Sequence, residues 1–186
     1  MHLVLIGYRG SGKTSAGRLA AETLGLELVD LDDAVRAKFD GRAIADVWQT
    51  EGEPAFRTAE AGAFAEQLES AAPIVLATGG GAVMTAQTAE RLDRARRRGR
   101  AWCAYLHAPA EVLAQRIASD DASANERPSL TGAASAVAEV AHVLGVREPA
   151  YRALADAVID ASSPIDAVAR ALVDGYRSAG SGASDS

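Results

Sequence analysis

The chain has 186 residues, of which 48% are hydrophobic, and its formal net charge is −6. This length suits one ordinary domain with a single core, and the negative charge argues against a general nucleic-acid binder. No apolar run approaches the ~20 residues that span a membrane, and the start lacks the basic segment and apolar core of a signal peptide. The lone cysteine, Cys103, excludes an internal disulfide, and its apolar surroundings predict a buried, inert thiol. We therefore expect a cytoplasmic protein that binds neither nucleic acid nor membrane.

The predicted elements alternate between strands and helices. Five apolar runs without polar alternation predict buried strands, at 3–6, 26–29, 74–77, 102–106 and 157–159. Helical periodicity predicts helices at about 13–24, 32–39, 43–50, 53–70, 85–98, 110–118, 133–145, 148–156 and 165–177. This order indicates an α/β fold, with helices on both faces of a parallel sheet. A ligand is then expected beyond the carboxyl ends of the strands.

The first strand runs directly into the segment GYRGSGKTS. Gly7, Gly12, Lys13 and Thr14 match G-x-x-x-x-G-K-[ST], the phosphate-binding loop. In this loop backbone N–H groups bind an anion, the lysine reaches the β- and γ-phosphates, and the threonine hydroxyl ligates magnesium. A chance glycine-rich turn is disfavoured, because a strand precedes the loop and a helix follows it. We predict that the nucleotide is bound by Gly10, Ser11, Gly12, Lys13, Thr14 and Ser15.

Acidic residues follow the second strand, in the segment Asp30-Leu31-Asp32-Asp33. An ordinary helix N-cap, with carboxylates favoured in the first turn, would account for Asp33 and for one more of these acids. A kinase that acts on an alcohol needs one carboxylate to orient or deprotonate the attacking hydroxyl and another near its magnesium ion. Asp30 and Asp32 could divide those two tasks.

A triple glycine, Gly79-Gly80-Gly81, follows the third strand. It is either a flexible connector or a place where a ligand approaches the backbone closely. Two arginines are also locally constrained, one on a predicted helix and one just before another. Arg57 lies at helical spacing from Glu60, which could fix its guanidinium group, and Arg147 stands just before a proline.

Two other segments have simpler interpretations. The basic cluster RARRRGR at 94–100 could bind phosphate, but arginines in the last turn of a helix that Gly99 ends account for it better. The tail at 178–186 lacks large apolar residues and is expected to be disordered.

Together these segments resemble the shikimate kinase family, over the chain up to about residue 177. The resemblance rests on GYRGSGKT, LVDLDD, GRAIADVWQTEGEPAFRTAE, ATGGGAV, ERPSL and REPAYRALAD. It implies a P-loop kinase fold of nucleoside-monophosphate-kinase type, with a five-stranded parallel sheet ordered 2-3-1-4-5. One domain would span 1–177, with a mobile lid at about 117–131. The implied reaction is magnesium-dependent transfer of the γ-phosphate of ATP to the 3-hydroxyl of shikimate, on the pathway to chorismate and aromatic amino acids. We expect a monomer.

The resemblance also implies roles around the acceptor. Asp32 would bind the shikimate hydroxyls and is the candidate base, and Asp30 would belong to the outer coordination sphere of Mg²⁺. Arg57 and Arg147 would clamp the shikimate carboxylate, with Glu60 orienting Arg57.

Further implied roles fall on the glycines, the lid and the apolar wall. The backbone of 79–81 would close on the substrate, and Trp48 and Phe56 would form an apolar wall behind its ring. Arg127 in the lid would reach the ATP phosphates, and Arg116 would lie near the adenine. The implied catalytic residues are Lys13, Asp32 and Arg127.

Four alternatives predict different sequences. A gluconate-type kinase shares the loop but is not expected to carry the GGGAV and REPAY segments. A GTPase needs an N-K-x-D motif, which the sequence lacks, and a motor ATPase normally ends a strand with a magnesium-binding aspartate where this chain has glycines. A catalytically dead binding module is disfavoured, because every candidate polar role is filled.

Overall fold

The computed structural model describes residues 1–119 and 136–182. Its strands are β1 His2–Ile6, β2 Glu27–Asp30, β3 Ile74–Ala77, β4 Ala101–His107 and β5 Ala157–Asp160. Its α-helices are α1 Lys13–Leu24, α2 Leu31–Ala37, α3 Ile44–Thr50, α4 Glu53–Glu69, α5 Ala86–Arg97, α6 Ala110–Ser119, α7 Ala136–Leu154 and α8 Ile165–Gly182, and a short 3₁₀ helix spans Ala82–Met84.

The five strands form one parallel sheet in the order β2-β3-β1-β4-β5. Central β1 pairs on both sides, with Leu3 opposite Val75 of β3 and opposite Trp102 of β4. Every residue of β1 is buried, as expected for a strand covered on both faces. The predicted α/β fold and strand order are confirmed, and the carboxyl ends of all five strands meet at one edge.

One predicted helix boundary is wrong. The helices expected at 133–145 and 148–156 are the single helix α7 within the described residues, and Pro149 lies inside it. Proline removes one intrahelical hydrogen bond and usually breaks a helix. Here Val143 and Leu144 before the proline, and Tyr151 and Leu154 after it, are all buried in the core. Tertiary packing on both sides of Pro149 therefore keeps the helix continuous.

The C-terminal boundary is also later than predicted. Helix α8 continues to Gly182, so residues 178–182 are helical, whereas we expected a disordered tail from 178. Ala179 packs against the core and extends the apolar stripe of the helix by another turn. Residues 183–186 lie outside the described residues.

Two smaller predictions are confirmed. The basic cluster occupies the end of α5, where Gly99 has φ +64° and Arg96 and Arg97 form ion pairs with Asp156 and Asp93. Cys103 is fully buried, and burial raises the pKa of its thiol, which keeps it protonated and unreactive. Within the described ranges, no helix is long and apolar enough to cross a membrane.

Candidate active site

A cavity of about 690 Å³ opens where the strands end. Its floor is the loop at 9–15, and its sides are the β2–α2 junction and the glycine turn after β3. Arg116 of α6 and the segment 161–168 close the opposite wall. The topology thus brings the phosphate-binding loop and the acidic segment to one place, as predicted from the strand ends.

Lys13 is held by the loop that precedes it. Its buried ammonium group donates to the carbonyl oxygens of Gly7 at 2.9 Å and Tyr8 at 2.8 Å, and to Ser11 Oγ at 3.3 Å. Helix α1 begins at Lys13, so its first N–H groups also face the cavity. Backbone donors, the helix dipole and an ammonium group therefore converge on one anion site.

Gly10 lets helix α6 pack directly on this loop. It has φ +79°, and a Cβ there would lie 3.1 Å from Cγ1 of Ile117 and 3.3 Å from the carbonyl oxygen of Leu113. Arg116, on the same helix, donates to the carbonyl oxygen of Ala161 at 2.8 Å and approaches that of Gly10 at 3.5 Å. Arg116 therefore links the phosphate-binding loop to the wall after β5.

Asp30 and Asp32 lie at the start of α2 and both line the cavity. Asp30 is the N-cap: its Oδ1 accepts from the backbone N–H of Asp32 at 2.9 Å, and its Oδ2 accepts from Thr14 Oγ1 at 2.7 Å. The cap predicted for Asp33 is therefore wrong, because Asp33 lies three residues later, in the first turn of α2, and pairs with Arg36 on the exposed side. The two remaining acids differ in environment, since Asp30 contacts the threonine of the loop.

Arg57 lies on α4 and contacts the last glycine of the turn. Its Nη1 donates to Glu60 Oε2 at 2.7 Å, and its guanidinium group lies 5.5 Å from the ring centre of Trp48 and 5.3 Å from that of Phe56. A Cβ on Gly81 would be only 2.8 Å from Nη1 of Arg57. The predicted Arg57–Glu60 contact is present, and Trp48 and Phe56 pack on the guanidinium group.

Arg147 lies on α7 and contacts the preceding glycine. Its Nη1 donates to the carbonyl oxygen of Gly80 at 3.2 Å, and its guanidinium carbon lies 5.8 Å from the ring centre of Tyr8. Two arginines from distant parts of the chain therefore contact consecutive glycines beside the phosphate-binding loop. This pair is suited to an anionic ligand placed next to the phosphates.

Sequence reasoning missed the roles of Tyr8 and Tyr151. Tyr8 occupies a variable position of the loop motif, which gives no sign that its ring packs on Arg147. Tyr151 lies within the REPAY segment, and its spacing of four residues from Arg147 could have placed both side chains on one helix face. Arg127 and most of the predicted lid lie outside the described residues.

The family model for shikimate kinase matches residues 9–176 of the chain.

The chain belongs to the shikimate kinase family.

Relatives of this family match along most of their length. A shikimate kinase of Oleidesulfovibrio alaskensis is 44% identical over 167 residues, which cover 90% of this chain and 92% of the relative. One of Rhodopirellula baltica is 40% identical, over 87% and 82% of the two chains. The solved structure of shikimate kinase from Acinetobacter baumannii in complex with shikimate superposes with a TM-score of 0.78, at 34% identity, over 94% of this chain and 89% of that one.

A gluconokinase of Sinorhizobium meliloti is a more distant structural neighbour. It superposes with a TM-score of 0.63 at 19% identity, over 97% of this chain and 94% of that one. Similarity at this level shows a shared fold, so the shikimate kinase family and gluconokinase have the P-loop kinase architecture in common.

We expect the Gly10→Ala substitution to weaken ADP binding, measured by calorimetry, by at least tenfold. A side chain there must displace α6 or deform the loop, and the left-handed φ is unfavourable for alanine as well. Gly41→Ala is the matched control, because Gly41 has φ +78° but nothing within 4 Å of an added Cβ. Both variants share the backbone strain, so equal ADP affinities in the two would contradict the role given to the loop–α6 contact.

Proposed function

We propose that this protein transfers the γ-phosphate of ATP to the 3-hydroxyl of shikimate, giving shikimate 3-phosphate and ADP. The observation that carries the proposal is the pair of arginines, Arg57 and Arg147, on consecutive glycines beside a phosphate-binding loop. Family membership and the relative with bound shikimate support it. The product belongs to the route to chorismate and aromatic amino acids. That the enzyme is monomeric and cytoplasmic remains a prediction.

The cavity is the nucleotide site in this proposal. Backbone N–H groups of the loop and the ammonium group of Lys13 bind the phosphates, and Arg116 with the segment 161–168 encloses the nucleoside. Lys13 would exchange its bonds to loop carbonyls for bonds to phosphate oxygens. Such charge-assisted bonds are stronger than neutral ones, which favours the exchange.

Thr14 and Asp30 fit a magnesium ion at the same site. Their oxygens lie 2.7 Å apart, and Mg²⁺ prefers oxygen ligands with several waters and substrate phosphates. Among the described residues, no group of three or more acidic, histidine or cysteine side chains could hold a metal ion. When bound, Mg²⁺ neutralises charge that develops on the transferring phosphate. Thr14 would ligate the ion, and Asp30, which accepts a hydrogen bond from the Thr14 hydroxyl, would orient it from the outer coordination sphere.

Asp32 and the two arginines are assigned to the acceptor. Arg57 and Arg147 bind its carboxylate, so that its hydroxyl groups face the acidic segment. Asp32 accepts the proton of the attacking hydroxyl as the bond to phosphorus forms and the bond to the ADP oxygen breaks. Because phosphoryl transfer depends mainly on positioning and charge, fixing the acceptor through two guanidinium groups is a large part of the task. Arg127 remains the predicted lid residue that reaches the phosphates.

A coupled assay of ADP release tests the function directly. We expect magnesium-dependent turnover with ATP and shikimate, and little or none with gluconate. Turnover of quinate, a related ring acid, measures how strictly the site discriminates between acceptors of similar structure. Equal turnover of gluconate and shikimate, or none of shikimate, would overturn the proposal in favour of a different acceptor for the same fold.

Asp32→Asn should lower kcat by about 10²–10⁴-fold, the usual contribution of a general base. The amide keeps the shape but cannot accept the hydroxyl proton. The Kd of ADP, measured by titration, should stay within a few-fold of wild type. Asp33→Asn is the control, because its carboxylate faces the exposed side of the same helix and pairs with Arg36. A kcat of Asp32→Asn close to that of Asp33→Asn would leave Asp32 without a chemical role.

Gly81→Ala should raise KM for shikimate by about tenfold or more, while KM for ATP changes little. The added methyl group would lie 2.8 Å from Nη1 of Arg57, so the guanidinium group must move away from its place beside the turn. Gly62→Ala, on the same helix as Arg57, has open space for its Cβ and should leave both KM values unchanged. If the two variants have the same KM for shikimate, Arg57 does not bind the acceptor from its present position.

A further inference from the structure

Tyr151 and Arg147 lie one turn apart on α7, and their side chains meet at one backbone oxygen. The hydroxyl of Tyr151 donates to the carbonyl of Gly80, and Nη1 of Arg147 donates to the same carbonyl at 3.2 Å. Tyr151 is fully buried, whereas Arg147 is only partly buried. The tyrosine is thus the inner and the arginine the outer partner of this oxygen.

The Gly80 peptide occupies a crowded position. A Cβ on Gly80 would lie 3.2 Å from the backbone nitrogen of Arg9 and 3.5 Å from the carbonyl oxygen of Gly7. The following residue, Gly81, lies against the guanidinium group of Arg57. Any rotation of this peptide would therefore change its contacts with the phosphate-binding loop and with both arginines.

We propose that Tyr151 is a positioning residue for the acceptor site, acting through the Gly80 carbonyl on Arg147. The inference rests on the proposed function, because it gives Arg147 the task of binding the acceptor carboxylate. Tyr151 itself is too deeply buried to touch the acceptor. Its hydroxyl fixes the direction of the Gly80 carbonyl. The carbonyl in turn orients the guanidinium group of Arg147, and so determines which of its N–H groups can bind a ligand.

The hydroxyl is separable from the packing of the ring. The ring of Tyr151 lies 5.1 Å from that of Tyr105, and the Tyr151→Phe substitution keeps this ring. Burial raises the pKa of Tyr151 to about 12, so the hydroxyl keeps its proton and remains a donor at neutral pH. Tyr105 differs in one respect: its buried hydroxyl has no hydrogen-bond partner among the residues that the structure describes.

Removal of the Tyr151 hydroxyl leaves Arg147 as the remaining side-chain donor to Gly80 in the described part of the chain. A buried carbonyl that loses one donor is bound more firmly by the other. The acceptor carboxylate must then compete with Gly80 for Arg147. We expect KM for shikimate to rise about three- to tenfold, the size of one lost hydrogen bond.

The test is Tyr151→Phe, compared with two matched variants by steady-state kinetics and thermal melting. Tyr105→Phe removes a neighbouring buried hydroxyl that lacks a hydrogen bond in the described structure. Tyr176→Phe removes a bond from a tyrosine hydroxyl to a backbone carbonyl, that of Met1, away from the site. We expect only Tyr151→Phe to raise KM for shikimate, with KM for ATP unchanged and kcat within a few-fold of wild type.

Each other outcome is decisive. An unchanged KM for shikimate in Tyr151→Phe, or an equal rise in Tyr176→Phe, overturns the positioning role while wild-type turnover of shikimate upholds the proposed function. A Tyr151→Phe protein that melts far below Tyr176→Phe, or loses ATP and shikimate binding together, shows that the hydroxyl serves the fold and also overturns the role. A wild-type protein that does not phosphorylate shikimate overturns the proposed function instead.

Discussion

The close approach of the glycine turn to the phosphate-binding loop is the constraint on which the site depends. Thr78 begins this approach, since its backbone N–H and its hydroxyl both bond to the carbonyl oxygen of Leu5 on the neighbouring strand, at 3.1 and 2.9 Å. Gly80 then lies against the backbone of residues 7–9. No side chain could fit between two backbones at this separation without moving one of them. The glycines thus bring the two halves of the candidate site together, because the arginines proposed to bind the acceptor contact the turn and the phosphates are assigned to the loop.

The cations of the site are satisfied by the protein before any ligand arrives. Lys13 bonds to carbonyls of its own loop, Arg116 to that of Ala161, and Arg147 to that of Gly80. A buried or half-buried charge without such partners would be costly. Neutral carbonyls are, however, weaker partners than phosphate or carboxylate oxygens. The arrangement therefore holds each cation near its working position and still leaves a gain in free energy when an anion replaces the carbonyl.

Apart from the strand order, which the family resemblance implied, the features that the sequence predicted correctly are local ones. The loop follows a buried strand at fixed spacing, and Arg57 reaches Glu60 because residues three apart share a helix face. The features that it missed depend on contacts between distant segments. Nothing local to Tyr151 indicates that its hydroxyl meets a carbonyl 71 residues away, and the packing that keeps α7 intact across Pro149 comes from the core. The error at Asp33 has another origin: several acids in a row all suit a cap, and only the exact end of β2 selects Asp30.

The two arginines proposed to bind the acceptor are held by partners of different charge, so they differ in how strongly they can attract an anion. Arg57 pairs with the buried carboxylate of Glu60 at 2.7 Å and with Glu53 at 3.3 Å, so much of its charge is already compensated. The described contacts of Arg147 are all uncharged: the carbonyl of Gly80, the hydroxyl of Tyr151 and the ring of Tyr8. A carboxylate that binds both would therefore draw more of its electrostatic attraction from Arg147, while Arg57, fixed by Glu60 and by two aromatic rings, supplies direction. The more weakly held cation is the one whose position most needs support, and it is at Arg147 that the Gly80 carbonyl, the Tyr8 ring and the Tyr151 hydroxyl converge.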